Sequence, residues 1–86
     1  MPEMTPKSWY RTAVRCLAGY RADERPISFL VDDRKIEIRR IVRSWREPDF
    51  LHFRVETDDG REYDLRHHEY EDSWEMKPVE VIPVRA

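Results

Sequence analysis

FLHFRVETDDGREYDLRH, residues 50–67, decides the fold. Leu51, Phe53, Val55 and Thr57 recur at every second position up to Asp58-Asp59-Gly60, and Tyr63, Leu65 and His67 leave it with the same period. Period-two patterning on both sides of a turn signal predicts an antiparallel hairpin with one apolar face. The register follows from the loop length. A two-residue loop at Asp59-Gly60 would set Val55 opposite Asp64, and a one-residue slip moves every side chain to the other face. A three-residue loop, Asp58 to Gly60, pairs Thr57 with Arg61, Val55 with Tyr63 and Phe53 with Leu65, so the apolar face stays continuous. That loop is a type I turn closed by a residue in the left-handed region, where glycine carries no Cβ penalty. The other face then reads Arg54 against Asp64, His52 against Arg66, and Glu56 against Glu62, a mild like-charge conflict.

Working outward, Ile27, Phe29 and Val31 alternate, Asp32-Asp33 turns, and Ile36 and Ile38 alternate again. A two-residue Asp32-Asp33 turn pairs Phe29 with Ile36 and Ile27 with Ile38; a four-residue loop, Val31 to Arg34, keeps the same pairing. Beyond Ile38 the phase slips: Ile36, Ile38 and Val42 share one parity, Ile41 and Trp45 the other. A bulge or bend at Arg39-Arg40 would bring Ile41 and Trp45 to the core side and curl the sheet. Pro48 ends that strand. On the far side, Glu69 to Asp72 is a polar turn that sets Trp74 and Met76 opposite His67 and Leu65. Val79, Val81 and Ile82 read as a last strand that Pro83 confines to an edge. Toward the N-terminus, Val14, Cys16 and Ala18 alternate, so 13–18 reads as a strand, a helical turn being the alternative. Gly19 to Pro26 is a polar loop. Residues 1–8 read as a loose arm before a single domain, 9–86, with Trp9 and Tyr10 anchoring its start.

These elements predict an all-β fold. It is an antiparallel meander of about five to seven short strands, curled into a small SH3-like or open barrel, with at most one short N-terminal helical turn. The expected core is Ile27, Phe29, Ile36, Ile38, Ile41, Trp45, Leu51, Phe53, Val55, Tyr63, Leu65, Trp74 and Met76.

Part of this pattern is similar to a known group. Arg25-Pro26-x-x-Phe29, then Trp45, then Phe53-x-Val55-x-Thr57-x-x-Gly60-x-x-Tyr63-x-Leu65, then Asp72-x-Trp74 resembles small bacterial cytoplasmic all-β proteins built on a domain of unknown function. The resemblance covers about residues 25–76 and rests on aromatic and turn positions. It implies a short standalone β domain with no established activity, and it brings no catalytic residues.

Composition narrows function by exclusion. The 86 residues carry 16 basic and 18 acidic side chains, net charge −2, so the whole chain shows no polyanion-binding excess. The distribution is uneven. Residues 34–54 hold seven Lys or Arg against three acids, +4, and residues 55–80 hold three against ten, −7. Neighbouring strands that pair these blocks across the sheet are the simplest account; a dipolar docking surface is the alternative. One cysteine, Cys16, excludes an internal disulfide and reads as a small apolar residue. No stretch is long and apolar enough for a membrane span and no signal-peptide core is present, so the expected compartment is the cytoplasm.

No enzymatic constellation emerges. His67 and His68 are adjacent and face opposite sides of a strand. His52 and His68 share the outer face as diagonal neighbours, about 7–8 Å apart at Cα, with Glu69 and Glu71 nearby. No CxxC, HxxH or HExxH spacing supports a metal, so neither metal nor cofactor is expected. Ser28, Ser44 and Ser73 lack a nucleophile elbow. The acidic pairs Asp32/Asp33 and Asp58/Asp59 belong to turns, and two glycines make no phosphate loop. The reading is therefore a non-enzymatic interaction module that binds a protein or a second copy of itself through an edge strand at 79–84, with Phe50, Tyr20 and Tyr70 as exposed aromatics. The alternative is single-stranded nucleic acid held by the basic segment 34–46. The candidate surface is Arg34, Lys35, Arg39, Arg40, Arg43, Arg46, Phe50 and His52.

Overall fold

A computed structural model of the chain describes residues 9–17 and 25–79. They form seven antiparallel strands and no helix: β1 (Tyr10–Thr12), β2 (Val14–Cys16), β3 (Pro26–Val31), β4 (Arg34–Glu47), β5 (Phe50–Thr57), β6 (Glu62–His68) and β7 (Ser73–Pro78). The sheet order is β1-β7-β6-β5-β4-β3-β2. Because β1 and β2 are consecutive in the chain, separated only by Ala13, the two ends of that order meet and the sheet curls into a nearly closed barrel. Thr12 fastens the joint: its hydroxyl donates to the Leu30 carbonyl at 2.7 Å, and the Leu30 amide is within 3.1 Å of the same oxygen and 3.2 Å of the Ala13 carbonyl.

The β5–β6 hairpin has the register its sequence predicts, from Glu56 opposite Glu62 through Phe53 opposite Leu65 to Phe50 opposite His68. Gly60 sits at φ +87°, and the Gly60 amide donates to the Thr57 carbonyl at 2.9 Å. The buried Thr57 hydroxyl donates to the Asp59 carboxylate, which also accepts from the Arg61 amide. These bonds hold the Asp59 carboxyl below its ordinary pKa, the Thr57 bond contributing most.

The β3–β4 turn is the two-residue form. Val31 faces Arg34 directly, and Asp32 and Asp33 adopt φ of 51° and 66°. Positive φ at both central positions makes a turn whose twist matches its strands, and aspartate tolerates it better than most residues. β6 and β7 pair as expected, with His67 opposite Trp74 and Leu65 opposite Met76.

Inside the barrel Phe29, Phe53, Val55, Tyr63, Leu65, Trp74 and Met76 make one cluster, with Val14, Cys16, Val31, Ile36, Ile38, Ile41 and Leu51 packed at its margin. Two members of the expected core lie elsewhere. Ile27 is 38% exposed: it is the extra residue of β3 where the β2–β3 register shifts, between Ser28 opposite Arg15 and Pro26 opposite Cys16, and the shift turns Pro26 and Ser28 inward in its place. Trp45 is on the outer face, opposite His52, because β4 carries two register shifts, at Ile38/Arg40 and Ile41/Arg43. The first brings Ile41 inside as expected. The second, at Val42, reverses the parity again, so Ser44 and not Trp45 shares the face of Phe53.

β7 is flanked by β6 on one side and β1 on the other, so it is not an edge. The loose arm over 1–8, most of the polar loop before Pro26, Tyr20, and the last strand beyond Val79 lie outside the described residues.

Candidate functional site

β4 changes partner midway along its 14 residues. Arg34 to Glu37 pair with β3, and Ile38 to Glu47 pair with β5. The handover is made at Glu37, whose carbonyl accepts the Asp58 amide at 3.1 Å. Beyond Ser28, β3 and β4 therefore diverge and leave a seam in the barrel wall. Among the described residues, the edge of β4 away from β5 has no strand paired to it from Ile38 to Glu47. An edge of this kind presents a row of backbone donors and acceptors.

The seam holds a cavity of about 770 Å³. Arg25, Arg39, Arg40, Arg43 and Arg46 line it, and among the described residues no carboxylate does. Its apolar part is Ile27, Ile38, Ile41 and Leu51, with the buried Phe53 beneath. The bulges bring this about: in a regular strand Arg39 and Arg43 would share one face and Arg40 and Arg46 the other. Two of the five arginines are neutralised from the side, Arg40 by Glu56 at 2.7 Å and Arg46 by Glu69. Arg25 and Arg39 have no acidic partner among the described residues, and Arg43 lies over the Trp45 ring, 4.7 Å from its centroid. The seam is thus a cationic groove in a chain of net charge −2.

Elsewhere the basic and acidic blocks pair within the molecule. Arg54 holds Asp64 with two bonds of 2.8 and 3.0 Å, and this contact raises the Arg54 pKa above its ordinary value. Within the acidic block itself, Arg66 holds Glu75 at 2.6 Å.

The sequence-derived surface is divided by the structure. Arg39, Arg40, Arg43 and Arg46 meet at the seam. Arg34 and Lys35 do not; they face Val31 and Leu30, and Lys35 pairs with Glu37 at 3.3 Å. Phe50 and His52 lie on the outer face of β5, within an aromatic layer. There His52 stacks on Trp45 at 5.0 Å and 5°, and Trp9 approaches its edge at 6.1 Å. The Arg66 guanidinium lies 4.2 Å from the Trp9 ring and 4.3 Å from that of Phe50. His52 is buried; its Nε2 meets Glu47 at 3.0 Å, and its Nδ1 has no hydrogen-bond partner among the described residues. His67 faces inward, stacked on Trp74 and bonded to Asp72 at 2.8 Å, while His68 faces out against Phe50. Tyr70 is 83% exposed, whereas Phe50 is half-buried. Among the described residues, no group of three His, Cys, Asp or Glu is placed to hold a metal ion, and no helix is long and apolar enough to cross a membrane.

Arg25 is the seam residue missed by sequence reasoning. It precedes β3, far from the basic run, and its signal was only the Arg25-Pro26 step that opens a strand. Comparison of the chain with protein-family models, with curated proteins and with solved structures found no match.

Proposed function

We propose that this domain is a non-enzymatic interaction module that engages an anionic partner, foremost another protein, through the seam between β3 and β4. One observation carries the reading: among the described residues, five arginines and no carboxylate surround a cavity of about 770 Å³ beside a strand edge that no described strand pairs. Concentrated charge of one sign raises the encounter rate with a complementary partner and sets its orientation. A second copy of the chain is a poor occupant of this edge, since two-fold pairing would set arginines against the same arginines. A bacterial, cytoplasmic setting and an SH3-like barrel belong to the same proposal, supported by the resemblance over residues 25–76, the lone Cys16 and the bent β4.

Fluorescence anisotropy with labelled poly-L-glutamate tests the reading. The wild type should bind at about 50 mM salt and weaken steeply as salt rises, because exposed charges are screened within about 10 Å at 0.1 M. An Arg39→Gln/Arg43→Gln variant should lose most of that binding. Equal binding by wild type and variant, or none by either at low salt, removes the seam as a working surface.

Single-stranded nucleic acid is the second reading, favoured by the arginine row itself. Labelled single-stranded DNA and RNA at about 50 mM salt decide it, since phosphate contacts are strongest there. Sedimentation that stays monomeric to high micromolar concentration removes the homodimer.

A further inference from the structure

We infer that the partner's contact is an extended acidic segment that adds as a strand to the edge of β4 that no described strand pairs. The inference rests on the seam being an anion-binding interface and specifies its occupant. Three features of the seam converge on it.

The first is the backbone. From Ile38 to Glu47, β4 gives its hydrogen bonds to β5, and no described strand takes the opposite edge. Adding a peptide strand to such an edge satisfies its main-chain groups regardless of sequence, while pockets for alternate side chains supply selectivity. Arg40 to Arg46 covers about 20 Å at ~3.3 Å per residue, the length of a segment of six or seven residues.

The second is the alternation of side-chain environments along the groove. Arg39 and Arg43 offer cations without carboxylate partners among the described residues, and Ile27 and Ile41 offer apolar surface between them. Successive side chains of an added strand point to opposite sides. A segment alternating acidic and apolar residues therefore sets carboxylates on the arginines and buries its apolar side chains over the isoleucines.

The third separates a peptide from a polynucleotide. Non-specific single-strand binding uses aromatic rings on which bases stack, at ~1–3 kcal/mol per base. Among the described residues, the one aromatic lining the seam is Phe53, which is 6% exposed. Trp45 lies on the outer face, already stacked on His52 and covered by Arg43. The described residues of the seam have the charge for phosphates and lack the platforms for bases.

The test uses the full chain and a fluorescein-labelled decapeptide of alternating Glu and Val at about 50 mM salt. Two further decapeptides carry backbone N-methyl groups, one on the odd residues and one on the even. In a paired strand the amides facing the neighbour alternate with those facing away, so one methylated peptide should bind at least tenfold more weakly and the other almost unchanged. Arg39→Glu/Arg43→Glu should weaken the unmodified peptide at least tenfold; both side chains are exposed, and an unchanged melting temperature confirms that the variant folds. If both methylated peptides bind like the parent while the arginine variant fails, the seam binds anions but not as an added strand, and this inference alone falls. If oligothymidylate of ten nucleotides binds and the decapeptide does not, the occupant is nucleic acid. If neither binds, the proposed function falls with the inference.

Discussion

Replacing Gly60 by valine isolates a backbone effect almost free of packing. Gly60 lies at φ +87°, and a Cβ built there meets no atom within 4 Å. The substitution therefore creates no clash, and its whole cost is conformational. Forcing an L-residue into the left-handed region costs ~1–2 kcal/mol, more for a β-branched side chain. For a domain of this size each kcal/mol shifts the melting temperature by ~4–8 °C. Gly60→Val should accordingly melt about 4–16 °C below the wild type. Gly60→Asn serves as the control, because asparagine tolerates this region and should lose about half as much or less. Thermal unfolding followed by far-ultraviolet circular dichroism measures both, and urea titration with an unchanged m-value shows that the denatured state is not the cause. If valine melts with the wild type, the three-residue loop does not require a left-handed residue, and the register argument built on it is wrong. If asparagine is as damaging as valine, the cost arises from something other than φ.

The Asp32-Asp33 turn should respond in the opposite direction: Asp33→Gly relieves a positive-φ residue at 66° and should stabilise the domain by about 0.5–1 kcal/mol, read from the urea midpoint. Arg54→Met leaves the buried Asp64 carboxylate without its two-pronged partner and should cost about 2–3 kcal/mol; adding Asp64→Leu should recover part of the loss, and a double variant no better than the single one refutes the pairing account. The Asp59 carboxyl titrates lower in the folded chain than in the unfolded one, so its stabilisation is complete above the ordinary carboxylate range and disappears as pH falls through the depressed value. Asp59→Asn should therefore melt with a shallower loss below about pH 4 than the wild type does, and parallel acid limbs would show that Asp59 contributes nothing there.

The β5–β6 hairpin was legible to the residue because its information is local. Period-two apolar positions and a single left-handed glycine leave only one register with a continuous apolar face. The β3–β4 turn was half legible: the pairing of Phe29 with Ile36 followed from alternation, but without glycine the two-residue loop could not be told from a longer one. β4 marks where local reading stops. One irregularity showed as the parity change after Ile38. The second, at Val42, was masked, since Ile41 and Trp45 lie four apart and look in phase when no extra residue intervenes. Trp45 was misplaced for that reason. The seam depends on a long-range event, the departure of β3 from one edge of β4 while β5 holds the other, and so the arrival of Arg25 beside Arg39 had no local signature, nor had the exposure of Ile27 at the β2–β3 register shift. The basic run itself was plain in the sequence; which of its members act together was not, and Arg34 and Lys35 turned out to lie on the β3-paired half of the strand.

The split first strand has a kinetic consequence. β1 pairs with β7, so Thr12 meets Trp74, while β2, two residues on, pairs with β3. The neighbours from β3 to β7 are joined by connections of two to four residues and can zip in sequence, and β2 is nine residues from β3. The β1–β7 ladder alone must close a loop of some sixty residues, and such non-local pairing carries its entropic cost before its contacts form. During synthesis Tyr10 to Thr12 emerge first yet have no partner until β7 has left the ribosome. Over that interval the outer margin of β7's future neighbour, β6, and then β7 itself are open to pairing with other chains. The last step of folding is thus expected to be the docking of the first strand, with the Thr12–Leu30 hydrogen bonds forming at the very end, and variants at Thr12 should slow or undo closure while leaving the central hairpin intact.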